Sequence, residues 1–101
     1  MTWADAADAR LADETVVGAG VGDTLVALAR VDGAWYAVGA WCTHAECPLT
    51  DGWVEGAAIR CPCHASLFDL ANGVALEGPA EEPVTTYPTR LVGERVEIDV
   101  P

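Results

Sequence analysis

The chain has 101 residues, 51% of them hydrophobic, with 16 acidic residues against five arginines, no lysine and a formal net charge of −11. That length suits one domain with a core of its own and leaves no room for a second catalytic module. The charge repels nucleic acid and anionic membranes, and the longest unbroken apolar run, Ala34 to Cys42, falls well short of the roughly 18 residues of a membrane span.

Met1-Thr2-Trp3-Ala4-Asp5 has no basic segment leading into an apolar core, so no secretory signal is read there and a cytoplasmic location is expected. Ala4 to Ala12 carries enough alanine, with acids near its start, to predict a turn or two of helix. Beyond it the signal is β. Thr24 to Val31 and Trp35 to Ala40 flank Asp32-Gly33, a two-residue hairpin pair. Asp51-Gly52 and Glu55-Gly56 predict that Ala45 to Arg60 folds back on itself. Leu67-Phe68-Asp69 and Val74-Ala75-Leu76 flank a turn at Asn72-Gly73, and Leu91-Val92 and Arg95-Val96-Glu97-Ile98 pair across Gly93-Glu94. The fold class read from this is all-β: stacked antiparallel sheets in a single domain over 1–101, with a small inserted subdomain at about Trp41 to Pro79.

Two boxes in that subsegment use up both histidines of the chain: Cys42-Thr43-His44 and Cys61-Pro62-Cys63-His64. The fold-back between them would bring both to neighbouring loop tips. A Cys-x-His box followed by a Cys-x-x-His box has the ligand spacing of a Rieske centre, where two thiolates hold one iron and two imidazoles the other. Cys47 and Cys63 remain, one on each loop. They are read as a disulfide tying the loops together, against the alternative of two buried free thiols.

The boxes Cys42-Thr43-His44-Ala45-Glu46-Cys47 and Cys61-Pro62-Cys63-His64-Ala65-Ser66-Leu67-Phe68-Asp69, followed by Gly78-Pro79-Ala80, resemble those of Rieske-type 2Fe-2S ferredoxins, in particular the ferredoxins of bacterial ring-hydroxylating dioxygenase systems. The likeness extends over nearly the whole chain, to the strand pair between Val84 and Val100. It implies a Rieske-like fold and one 2Fe-2S cluster, with Cys42 and Cys61 on the inner iron and His44 and His64 on the outer. It implies a one-electron carrier, not an enzyme in its own right, serving aromatic hydrocarbon catabolism between a flavoprotein NAD(P)H reductase and a terminal non-heme iron oxygenase, and a monomer is expected. Ser66 matches a serine that bonds a bridging sulfide, and Pro79 lies in the loop that covers the cluster. Phe68 stands where high-potential members carry a tyrosine. The Cys47/Cys63 pair resembles the disulfide of respiratory Rieske proteins, which many oxygenase ferredoxins lack. With Ser66 able to donate to sulfur and Phe68 unable, the potential is expected in the lower half of the roughly −150 to +300 mV Rieske range.

The docking face is expected around His44, His64, Trp41, Glu46, Trp53 and Pro79, with Asp51, Glu77, Glu81 and Glu82 completing a negative rim facing a basic partner. Trp41 and Trp53 are read either as core or as partner contacts, Trp35 as core. Three alternatives stand beside this reading. A structural zinc module would accept the same donors, although Cys42-x-His44 is tighter than the usual zinc pairs. A small electron-transfer subunit of a larger oxidoreductase, such as an arsenite oxidase, is separated poorly by sequence. An independent oxygenase is excluded by counting, because its catalytic iron needs two more histidines.

Overall fold

The computed structural model describes residues 2–101 as eleven β-strands and one short 3-10 turn. The strands are β1 (Thr2–Asp8), β2 (Val16–Val21), β3 (Thr24–Val31), β4 (Ala34–Gly39), β5 (Trp53–Glu55), β6 (Ala58–Arg60), β7 (Leu67–Asp69), β8 (Ala75–Glu77), β9 (Thr86–Tyr87), β10 (Thr89–Val92) and β11 (Arg95–Val100). They form three sheets of order β1-β11-β10, β2-β3-β4-β9 and β5-β6-β7-β8. Every pairing is antiparallel.

The central layer is β2-β3-β4-β9, and the side-chain alternation of β3 explains why. Ala27 and Ala29 face a core shared with the third sheet, through Val38, Ile59, Phe68 and Leu70. Val26 and Leu28 face a second core made with Trp35, Ala37, Val96, Ile98 and Val100. A strand buried on both faces reads as a continuous apolar run, as Leu25-Val26-Ala27-Leu28-Ala29 does. The β3–β4 hairpin closes on Asp32 and Gly33 with φ of 51° and 82°, the left-handed pair that a two-residue turn needs to match strand twist.

The helix expected over Ala4 to Ala12 does not form. Residues 2–8 are strand β1, in register with β11 from Thr2↔Val100 to Asp8↔Arg95 and with a bulge between Asp5 and Ala7. Helix propensity is a weak local preference; here the open edge of β11 and the Asp5–Arg95 ion pair at 2.7 Å outweigh it. Strand β2 was not expected either, because Gly18 and Gly20 dilute its pattern. It forms by pairing with β3 along its whole length.

No helix among the described residues is long and apolar enough to cross a membrane.

Candidate metal centre

Both boxes lie on loops at one end of the third sheet. The first leaves β4 and enters the 3-10 turn Leu49–Asp51. Its base is closed by the bond from Leu49 N–H to the Ala40 carbonyl at 2.7 Å and by Cys42 N–H donating to the Cys47 carbonyl at 2.9 Å. The second joins β6 to β7. There Cys61 N–H donates to the Ser66 carbonyl at 2.8 Å and Ala65 N–H to the Cys61 carbonyl at 3.2 Å. Ala65 takes a left-handed φ of 65°, so the chain reverses between an exposed His64 and a fully buried Ser66.

Within this frame Cys42 and Cys61 are free thiols, buried in the core shared with the central sheet. The imidazoles of His44 and His64, both exposed, meet edge to face with ring centroids 5.2 Å apart and planes at 89°. Two loops separated by one hairpin thus bring thiols to the inside and imidazoles to the outside. Cys47 and Cys63 form a disulfide across the two loops, with Cα atoms 6.3 Å apart. The Cys61 sulfur lies within 4.8 Å of both bridged sulfurs. Because those two are bonded to each other, Cys61 is the one thiol of that trio.

The loop containing Gly78 and Pro79, joined by a cis peptide, is fastened to both boxes. Ala80 N–H donates to Ser66 Oγ at 3.0 Å, and Thr43 Oγ1 donates to the Glu82 carbonyl at 2.6 Å. Sequence reasoning found Ser66 and missed Thr43, since the contact reaches 39 residues along the chain and has no local signature. Phe68 is fully buried, in the row Val54–Ile59–Phe68–Ala75 across the third sheet.

Around the loops Trp41 and Trp53 are each 49% exposed, which settles their reading against the core, while Trp35 is buried. Glu46 and Pro79 are also exposed. Each of the five arginines ends on a carboxylate: Arg10 on Asp8, Arg30 on Asp13, Arg60 on Glu55 and Glu77, Arg90 on Glu97, and Arg95 on Asp5. Glu46, Asp51, Glu81 and Glu82 are exposed and have no such partner among the described residues, so the loop end is negative. Glu77 belongs to the Arg60 pairings instead of the free rim. Hydrogen bonds from the Arg60 guanidinium, and then from the Trp53 indole, hold the Glu55 carboxyl at a pKa of about 2.

The sequence matches the Rieske 2Fe-2S domain over residues 2–88. The chain belongs to the Rieske family. It is 38% identical to the ferredoxin component of the naphthalene 1,2-dioxygenase system of Pseudomonas aeruginosa, over 97% of this chain and 95% of that protein. The Sphingomonas yanoikuyae B1 ferredoxin superposes with a TM-score of 0.91 at 31% identity, covering 99% of this chain and 100% of its own. A chain from a complex of reduced oxygenase and oxidised ferredoxin in carbazole 1,9a-dioxygenase superposes with a TM-score of 0.88 at 26% identity, covering 95% and 91%.

The residues of this Rieske chain fit a 2Fe-2S cluster. Soft thiolates suit iron–sulfur centres and imidazole suits iron, and the two loops offer two free buried thiols and two exposed imidazoles, the donor types that the mixed-ligand cluster takes. Family membership also selects iron–sulfur over the zinc alternative.

Proposed function

We propose that this protein is a cytoplasmic, monomeric one-electron carrier of a ring-hydroxylating oxygenase system, accepting from a flavoprotein NAD(P)H reductase and delivering to a terminal non-heme iron oxygenase. The observation that carries the proposal is the His44–His64 pair, ring against ring at 5.2 Å on the exposed tip. The ferredoxin names of the relatives support it. Cys42 and Cys61 are assigned to the inner iron and His44 and His64 to the outer, in a cluster-binding subdomain of about residues 41–79 within a single domain.

When bound, the cluster supplies one reversible electron-accepting site. The chain's own groups set how that site is reached and tuned. Burial of Cys42 and Cys61 keeps water from the sulfur side, while His44 and His64 face outward as the electron exit. Ser66 Oγ already accepts from Ala80 N–H, so its own proton remains available for donation to sulfur, which stabilises the reduced state. Phe68 offers no such donor. The potential therefore belongs in the lower half of the roughly −150 to +300 mV Rieske range. Trp41, Trp53 and Pro79 supply apolar contact area beside the exit. Glu46, Glu81 and Glu82 steer it toward a basic docking site.

The test is reconstitution: NADH-driven reduction of the holoprotein by a flavoprotein reductase, then single-turnover oxidation by a terminal oxygenase. Reduction without transfer to any such oxygenase would remove the assigned direction of electron flow.

A further inference from the structure

Arg60 immediately precedes Cys61 but lies on the sheet face opposite the buried Ile59, in the row Trp53–Arg60–Leu67–Glu77 across the four strands. Its side chain is only 16% exposed. Nε and Nη2 grip the two Glu55 carboxylate oxygens at 2.9 and 2.7 Å, and Nη1 donates to Glu77 Oε1 at 3.2 Å and to the Ala65 carbonyl at 2.8 Å. Glu55 Oε2 also accepts the Trp53 indole N–H at 2.7 Å. A single guanidinium thus joins β5, the turn after His64 and the end of β8 that leads into Gly78-Pro79.

Ala65 is the part of this network under strain. Its left-handed φ of 65° is disfavoured for a residue with a Cβ and persists only where the surroundings hold it. The loop's own bonds use the Ala65 N–H; its carbonyl is held by Arg60. We propose that Arg60 is a positioning residue for the second box, clamping Ala65 so that His64 is turned out and Ser66 in, and tying that turn to the loop that carries Pro79. Glu55 holds the clamp in place with a bidentate contact that only the planar fork of arginine can make. The inference rests on the reading of Cys61 and His64 as ligands.

The test compares holoprotein with Arg60→Gln, Arg60→Lys and Glu55→Gln variants. Two readouts are taken: cluster loss to a chelator, followed by visible absorbance, and amide hydrogen exchange. With a charge-assisted contact removed, Arg60→Gln is expected to lose its cluster about tenfold faster. Amides of Cys61 and Ala65 are expected to exchange correspondingly faster, with peptides from β1 to β4 unchanged. Arg60→Lys keeps the charge without the fork and is expected to resemble Arg60→Gln. Adding Ala65→Gly, which removes the cost of the left-handed turn, is expected to recover part of the loss. Wild-type rates in Arg60→Gln, full rescue by lysine, or exchange raised equally in every strand would each overturn the proposal. If Arg60→Gln does not load, Glu55→Gln is expected to show the same local pattern, and wild-type exchange at Cys61 and Ala65 in that variant would overturn it. The ligand reading fails separately, through His64→Ala retaining the mixed-ligand signal, which leaves the exchange result at the loop untouched.

Discussion

Ser66 Oγ accepts the Ala80 backbone N–H at 3.0 Å in a fully buried position, so this hydroxyl fastens the Pro79 loop, and in the proposed function its proton is the one offered to the cluster. Replacing it with alanine removes both contributions. Ser66→Ala is expected to lower the one-electron potential by about 60 mV, the equivalent of one charge-assisted hydrogen bond. It is also expected to destabilise the fold by about 1–3 kcal/mol through the orphaned Ala80 N–H. Voltammetry and denaturant titration check the two; an unchanged potential would leave Ser66 a purely structural residue.

The histidine pair is tested by spectroscopy. His44→Ala and His64→Ala are each expected to abolish the low-average-g paramagnetic signal of a mixed-ligand cluster while leaving the far-ultraviolet dichroism of the sheets unchanged. Either variant keeping that signal would remove its histidine from the ligand set.

The Cys47–Cys63 bridge spans 16 residues. A loop of that length implies about 3 kcal/mol of stabilisation through the unfolded chain, so a double Cys47→Ser, Cys63→Ser variant is expected to unfold at lower denaturant by that amount. Alkylation of unfolded, unreduced apoprotein should modify only Cys42 and Cys61, the two free thiols. Modification at all four cysteines before reduction would contradict the bridge.

Salt tests the negative rim. The rate of reduction or delivery with a basic partner is expected to fall as ionic strength rises and the field is screened, with Glu81→Gln, Glu82→Gln flattening the dependence. Rates that do not respond to salt would confine these acids to solubility.

Acid tests the Arg60 network. The Glu55 carboxyl sits at about 2 against an ordinary value of 4.5. A depressed carboxylate adds stability that is fully present above its unfolded pKa and is lost as pH falls through the folded one. The network should therefore weaken from about pH 4.5 down to about pH 2. Glu55→Gln is expected to remove that component from an acid-unfolding curve followed by tryptophan fluorescence.

Much of this architecture was legible because its signals are local. Asp32-Gly33 marked the β3–β4 hairpin, Asn72-Gly73 the β7–β8 turn, and the spacing of Cys42, His44, Cys61 and His64 marked two converging loops. Strand β1 was misread because alanine's helical preference is visible in sequence and the waiting edge of β11, more than eighty residues on, is not. The same limit hid Thr43 and Arg60. Nothing beside Thr43 announces Glu82, and an arginine ahead of a cysteine looks like surface charge until Glu55, Glu77 and Ala65 are seen converging on it.

With a formal net charge of −11 and every arginine already paired with a carboxylate, identical copies meet one another as bodies of the same net negative sign. Two carriers colliding in a crowded solution are pushed apart before their histidine tips come close. Electron swapping among like molecules is thereby disfavoured relative to encounters with the basic partner of the proposed function.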